Sequence, residues 1–121
     1  MTSSRDDLRR LAEEHAALFR SESWPDLRSW VEQRWAPEIE IHMRGNVETR
    51  DQWIHRHSAD NGFDKANSKV SITQVIVGDD AFVIQSVVTP ASPSMGPLPG
   101  CMIYTVANGK CVRMDRFIDV P

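Results

Sequence analysis

Apolar side chains recur at spacings of three and four in the first stretch of the chain: Leu8, Leu11, Leu18 and Phe19, with His15 in the same stripe. That spacing predicts an amphipathic helix, capped by Ser3 or Ser4 and carrying Asp6 and Asp7 in its first turn, where carboxylates meet the positive helix end. Pro25 suits the first turn of a second helix with Leu27, Trp30, Val31 and Trp35 on its buried side, and Pro37 ends it. From Glu38 to Arg44 the period changes to two, the mark of a half-buried strand that turns Ile39, Ile41 and Met43 to one face and Glu40 and His42 to the other. A slip of one residue would send both isoleucines into water, so the alternation favours Met43 inward over His42. Gly45-Asn46 breaks the strand, and Thr49 to Ala59 reads as a third helix with Trp53, Ile54 and His57 on one side, closing near Asn61-Gly62.

The second half is rich in Val, Ile, Thr and Phe, and four strands are predicted over Lys69 to Val77, Ala81 to Thr89, Cys101 to Ala107 and Cys111 to Val120. Gly78-Asp79-Asp80 and Asn108-Gly109 supply short turns, and Pro90 to Gly100 supplies a longer Pro- and Gly-rich loop, so a meander is expected. The chain therefore reads as α+β: a curved antiparallel sheet with three N-terminal helices packed on one face. A sheet of this size twists, and three helices do not fill its concave side, so a pocket is expected. With 121 residues, residues 1–121 are read as a single domain.

Composition narrows the function classes. Hydrophobic residues make up 40% and charged residues 26%, ordinary globular usage. A net charge of -3 with dispersed Arg and Lys argues against a nucleic-acid surface. No window is apolar enough to span a membrane and the N-terminus lacks a signal-peptide core, so a cytoplasmic protein with no membrane partner is expected. Cys101 and Cys111 flank the Asn-Gly turn and could lie on neighbouring strands; in a reducing compartment they are expected as free thiols. Four histidines fall on three elements without ligand spacing, and there is neither a Gly-rich phosphate loop nor a nucleophile elbow. Neither a metal nor a cofactor is expected.

The order of elements, ending in Asn108-Gly109-Lys110-Cys111-Val112-Arg113-Met114-Asp115-Arg116-Phe117-Ile118-Asp119, resembles the nuclear transport factor 2-like superfamily, and its SnoaL-like branch in particular. In that superfamily the last hairpin typically has an Asn-Gly-Lys or Asp-Gly-Lys turn, an apolar residue, a polar or charged pair, an aromatic and a closing Asp. The resemblance covers nearly the whole chain and implies a cone-shaped sheet around a pocket. Steroid isomerases, polyketide cyclases, epoxide hydrolases and dehydratases share this fold with proteins that catalyse nothing, so the fold alone does not settle function.

Carried over residue by residue, the resemblance puts Asp115 where SnoaL-like cyclases and limonene-type epoxide hydrolases have a working acid. A carboxylate on an apolar concave face should have a raised pKa and move protons near neutrality. The alternative has Asp115 facing solvent or paired with Arg113 or Arg116. His15 lies near the place of a steroid-isomerase Tyr that donates to the substrate oxygen; His57, four residues after Trp53, should reach the same interior. Each could instead be a core-edge histidine. Two departures count against specific branches. The isomerase's second acid corresponds to about Met102, and the hydrolase's Arg-Asp pair would fall around Ile84 to Val87, which offers only Gln85 and Ser86.

The expected substrate-binding wall is Phe19, Trp30, Trp53, Phe63, Met102, Tyr104 and Phe117, suited to a flat hydrophobic molecule or simply to a core. Two functions follow. One is a cofactor-independent cyclase, isomerase or dehydratase acting on a hydrophobic, polyketide-like substrate through Asp115, His15 and His57. The other is a non-catalytic ligand-binding or dimerisation module, with Asp115 in a salt bridge. A homodimer through the outer face of the sheet, with Met114 and Ile118 beside Arg116, fits either.

Overall fold

A computed structural model describes residues 4–21, 24–59, 69–89 and 97–118. Helix α1 (Arg5–Ser21) starts in a capping box: the Asp7 amide donates to Ser4 Oγ at 3.1 Å and the Ser4 amide donates back to Asp7 Oδ2 at 3.4 Å. Helix α2 spans Trp24–Arg34 and runs directly into strand β1 (Trp35–Met43), which a tight turn at Arg44-Gly45 joins to the short strand β2 (Asn46–Glu48). Helix α3 (Arg50–Ala59) opens on a second reciprocal cap, the Gln52 amide donating to Thr49 Oγ1 at 3.1 Å and the Thr49 amide to Gln52 Oε1 at 2.9 Å. Strands β3 (Lys69–Val77), β4 (Ala81–Thr89), β5 (Leu98–Ala107) and β6 (Lys110–Ile118) follow.

The six strands form one sheet in the order β2-β1-β6-β5-β4-β3. Every pairing is antiparallel except β1 with β6, which is parallel, so the sheet is mixed rather than wholly antiparallel. Helix α1 packs on β3 and β4, and α2 and α3 pack on β1. The helices cover one face, and between them and the sheet lies the core of Leu8, Leu11, Val31, Trp35, Ile39, Ile41, Trp53, Phe82, Ile84, Tyr104, Cys111 and their neighbours.

The elements differ from expectation in places that matter for the site. Trp35 opens a strand rather than closing α2, and Pro37 lies inside β1. Proline has no amide hydrogen to give the ladder, and the β1–β6 register shifts between Trp35 and Glu40, around it. Strand β2 was not expected, and β5 begins three residues early, at Leu98. The Asn61-Gly62 helix stop and most of the Pro-rich loop lie outside the described residues.

The difference that matters most is at the last hairpin. Val106 pairs with Cys111 beside the Asn108-Gly109 turn, but Thr105 then pairs with Arg113, leaving Val112 as an extra residue. This bulge shifts the rest of β6 by one position. Tyr104 thus lies opposite Met114 and Met102 opposite Arg116, while Ile103 lies opposite Asp115 and Cys101 opposite Phe117. Residues directly opposite share a face, so Met114 and Arg116 belong to the inner face and Arg113, Asp115 and Phe117 to the outer.

This placement predicts opposite responses at adjacent positions. Met114 is 2% exposed, so Met114→Ala should cost about 2–5 kcal/mol in urea denaturation. Asp115→Ala, on the outer face, should cost about 1 kcal/mol or less. Equal losses, or the reverse order, would refute the shifted register.

Candidate ligand site on the inner face

Helix α1 brings His15 onto the inner face and β5 brings Tyr104 to meet it. Both are about 1% exposed, and His15 Nε2 lies 2.7 Å from the Tyr104 hydroxyl oxygen. The same hydroxyl donates to Met102 Sδ at 3.8 Å. One proton arrangement serves both contacts: Nε2–H donates to the phenol oxygen and the phenol O–H points at the thioether. His15 Nδ1 is then an acceptor, and it has no partner among the described residues. The opposite tautomer would bury an unpaired N–H, the rarer and costlier defect.

Aromatic rings enclose this pair. Phe19 stacks on His15 at 4.7 Å, the edge of Trp30 meets it at 5.3 Å, and Phe82 stacks on Tyr104 at 4.9 Å. Trp30 Nε1 is satisfied by Glu14 Oε1 at 3.0 Å. Burial in this apolar setting lowers the His15 pKa to about 3 and raises that of Tyr104 well above the ordinary phenol value. At neutral pH both groups are uncharged, and they can act as hydrogen-bond donor and acceptor rather than as a charged pair.

The row of rings continues across the inner face. Trp35 lies 6.1 Å from Tyr104 and 4.8 Å from Trp53, and the His57 ring stacks on Trp53 at 4.0 Å. His57 Nδ1–H donates to the Trp53 carbonyl at 2.9 Å, an i to i−4 bond along α3. His57 therefore reaches the aromatic row at its far end, and His15 and His57 stand at opposite ends of a shared wall. The indole Nε1 of Trp35 has no partner among the described residues.

Arg116 and Ser86 are inner-face residues that the sequence reading missed. Ser86 is 7% exposed and lies opposite Gly100 and Ile72. Arg116 is half-buried, its strand neighbours are Met102 and Met43, and its side chain makes neither a hydrogen bond nor an ion pair among the described residues. Burial lowers its pKa, the Tyr104 hydroxyl partly offsets this, and the like charges of Arg56 and Arg44 lower it further. Arg56 is itself held in a bidentate pair with Glu48 at 2.9 and 3.0 Å. The signal for Arg116 was present: apolar Met114 between Arg113 and Asp115 asks to be buried, and Arg116 is two residues further on.

Asp115 requires a correction. It lies on the outer face, where Arg113 Nε and Nη2 donate to its two carboxylate oxygens at 2.9 Å each. This hydrogen-bonded pairing holds its pKa below the usual carboxylate value, with a smaller push in the same direction from His42. The acid is thus separated from His15 by the sheet, and the raised pKa expected on a concave face does not arise. Phe117 follows the same shift: it is 56% exposed on the outer face and does not line the inner wall. Met114 and Arg116, expected on the outer face, point inward. Phe19, Trp30, Trp53, Met102 and Tyr104 are all on the helix-covered side, and Phe63 lies outside the described residues. His42 is on the outer face beside Asp115, its Nε2 3.0 Å from Glu40 Oε1, and Met43 is on the inner face, as the alternation requires.

No group of three or more His, Cys, Asp or Glu among the described residues is placed to hold a metal ion. Cys111 is fully buried on the inner face, where burial pushes its thiol up to about 12, and Cys101 is on the outer face; both are free. No described helix is long and apolar enough to cross a membrane.

The His15 environment has a pH signature. Its folded pKa lies below the unfolded value, so the unfolded chain binds the extra proton first as pH falls below about 6.5. The stability tied to neutral His15 is complete above that pH and falls by about 1.4 kcal/mol per pH unit towards its folded pKa. In urea denaturation between pH 4 and 7, His15→Gln should remove this slope. A wild-type slope retained in full by the variant would show that His15 is not its source.

No protein-family model and no curated protein matches the chain. Solved structures are similar in shape. An NTF2-like protein of unknown function from Mesorhizobium loti superposes with a TM-score of 0.75 at 13% identity, over 98% of this chain and 96% of that one. A candidate ketosteroid isomerase from Kribbella flavida gives 0.74 at 13% identity, over 96% and 80%. A candidate SnoaL-like polyketide cyclase from a Jannaschia species gives 0.67 at 20% identity, over 90% and 85%. Helices on one face of a mixed, curved sheet, together with these superpositions, show that the chain has the nuclear transport factor 2-like fold.

Proposed function

We propose that the inner face binds a small, largely hydrophobic organic molecule and polarises one of its oxygens, in cofactor-independent chemistry of the isomerase, cyclase or dehydratase kind. The observation that carries this reading is the Tyr104 hydroxyl. Its oxygen receives a hydrogen bond from His15, which makes the phenol a better donor, while its own hydrogen is spent on a thioether, a weak acceptor. A carbonyl or hydroxyl oxygen that displaced Met102 Sδ would make a stronger hydrogen bond. In an apolar setting that donor stabilises negative charge developing on the oxygen, the step shared by enolisation, ring closure on an enolate and loss of water. His57, half-buried on the side of α3 nearest the sheet, is the proposed proton acceptor. Solved structures of the same shape include candidate isomerases and cyclases, which fits this reading without identifying a reaction.

A second reading, a non-catalytic binding module, is favoured by the Arg113–Asp115 pair and by the 1% exposure of both His15 and Tyr104. The α-proton exchange of 2-tetralone in deuterated buffer, followed by NMR, separates the two. An enolising site should speed exchange above buffer, and Tyr104→Phe should lower that rate by about 10²-fold or more. Binding of the ketone without faster exchange would establish the module instead.

The outer face is the proposed contact with a second copy of the chain. Phe117 and Ile76 are exposed there, beside half-buried Ile103, Val83 and Val87, and Phe117 borders a shallow groove of about 600 Å³ with Gln85, Pro99 and Cys101. Apolar side chains on an open sheet face are stabilised by being covered. Sedimentation equilibrium should show a dimer that Phe117→Asp converts to monomer; a monomeric wild type would refute the contact.

A further inference from the structure

We propose that Arg116 is an anion-binding residue and that the ligand of the inner face carries a carboxylate or an equivalent delocalised oxyanion. The inference rests on the reading of that face as a ligand site and adds the charge class of what occupies it.

The argument begins with electrostatic balance. A guanidinium on the helix-covered side of a sheet loses hydration, and proteins almost always return the loss through a carboxylate. Arg56 is clamped by Glu48 and Arg34 reaches Glu14, while half-buried Arg50 donates to the Trp35 carbonyl at 3.4 Å and keeps its Nε without a partner among the described residues. The Arg116 side chain has neither a carboxylate nor a carbonyl partner among the described residues. Among the described residues no carboxylate contacts it, the charges it senses from Arg56 and Arg44 have its own sign, and its neighbours across the strands are Met102 and Met43. Arg56 is already neutralised by Glu48, so the local surplus is positive and centred on Arg116.

Geometry makes this surplus usable. Arg116 is only half-buried, so its fork remains within reach of a ligand, whereas His15 and Tyr104 are sealed. It is two strand positions from Met114 and directly opposite Met102, whose sulfur already touches the Tyr104 hydroxyl. An anion seated on the guanidinium would thus have Tyr104 as its neighbour along the face. Arginine suits such a role because its planar fork meets a carboxylate with two parallel hydrogen bonds and never deprotonates at physiological pH. The methionines beside it are flexible and adjust to the organic part of the ligand.

The test uses benzoate and its neutral isostere benzamide at pH 7, titrated into the full-length chain and read by backbone amide shifts of Met43, Met102 and Arg116. Benzoate should bind at least tenfold more tightly than benzamide. Arg116→Met should bring the two affinities together, and Arg116→Lys, which keeps the charge but loses the fork, should retain part of the preference. Removing a partly buried cation that has no partner among the described residues should also raise the melting temperature of Arg116→Met, so loss of preference is not confused with loss of folding. Equal affinities in the wild type, or a preference that survives Arg116→Met, would overturn the anion site while leaving the Tyr104 reading intact. If neither ligand shifts these amides, the anion site and the inner-face ligand reading fall together. Failure of 2-tetralone exchange alone leaves the charge preference untouched.

Discussion

The hairpin between β5 and β6 turns on Asn108-Gly109, both residues in the left-handed region, and an unbroken ladder from that turn would set Tyr104 against Arg113 and Met102 against Asp115. The single extra residue at Val112 prevents it. The parallel neighbour β1 explains why the shifted register is the stable one. Ile41 meets Met114 on the inner face, and Glu40 and His42 meet Arg113 and Asp115 on the outer, so apolar matches apolar and polar matches polar, with Glu40 opposite the Arg113 charge. The alternative would bury Arg113 and Asp115 beneath the helices, where desolvation costs several kcal/mol per ion. Because side chains alternate, this one-residue choice fixes the face of Met114, Asp115, Arg116 and Phe117 together.

Depth beneath the helices then sets the chemistry available on the inner face. At the end near the hairpin turn, Val106, Cys111 and Phe82 are packed and dry. In the middle, His15 and Tyr104 keep their polar atoms only because each serves the other, and burial shifts both away from neutral-pH titration. Proton exchange between them at pH 7 is disfavoured, which is why donation to a ligand oxygen is the more economical role. Towards the far end, Ser86, Met102, Met43 and Arg116 form a softer and more polar surface.

Periodicity was a good guide wherever one face of an element is buried and the other wet. The stripe Leu8, Leu11, His15 identified α1 and placed its histidine inside; the alternation at Ile39, Ile41 and Met43 placed His42 outside; β3 and β4 have the predicted bounds. Periodicity failed where a local break changes the count. Pro37 was read as a helix stop, although a strand tolerates proline where the ladder slips, and β1 therefore began three residues before its expected start. The resemblance placed Asp115 inside, and Phe117 was expected there as an aromatic wall residue, but a bulge leaves no composition signal of its own. The apolar Met114 between two charged residues was the available clue. Strand β2, three residues long, is too short for any alternation to reveal.

A cation in a partly buried position is a standing cost to the fold, and the surrounding residues limit rather than cancel it. Arg116 lies towards the end of β6 instead of its middle and is only half-buried, which lessens the desolvation of its guanidinium without removing it. Glu48 neutralises Arg56 but leaves Arg116 alone, although both arginines sense one another. Exchanging Arg116 for a methionine would extend the existing run of Met43, Met102 and Met114 with little change in volume. A fold selected only for stability has that simple option open to it. The guanidinium at this position is what the proposed anion site of the inner face would use, and the sign of its charge limits the ligand class of that proposal.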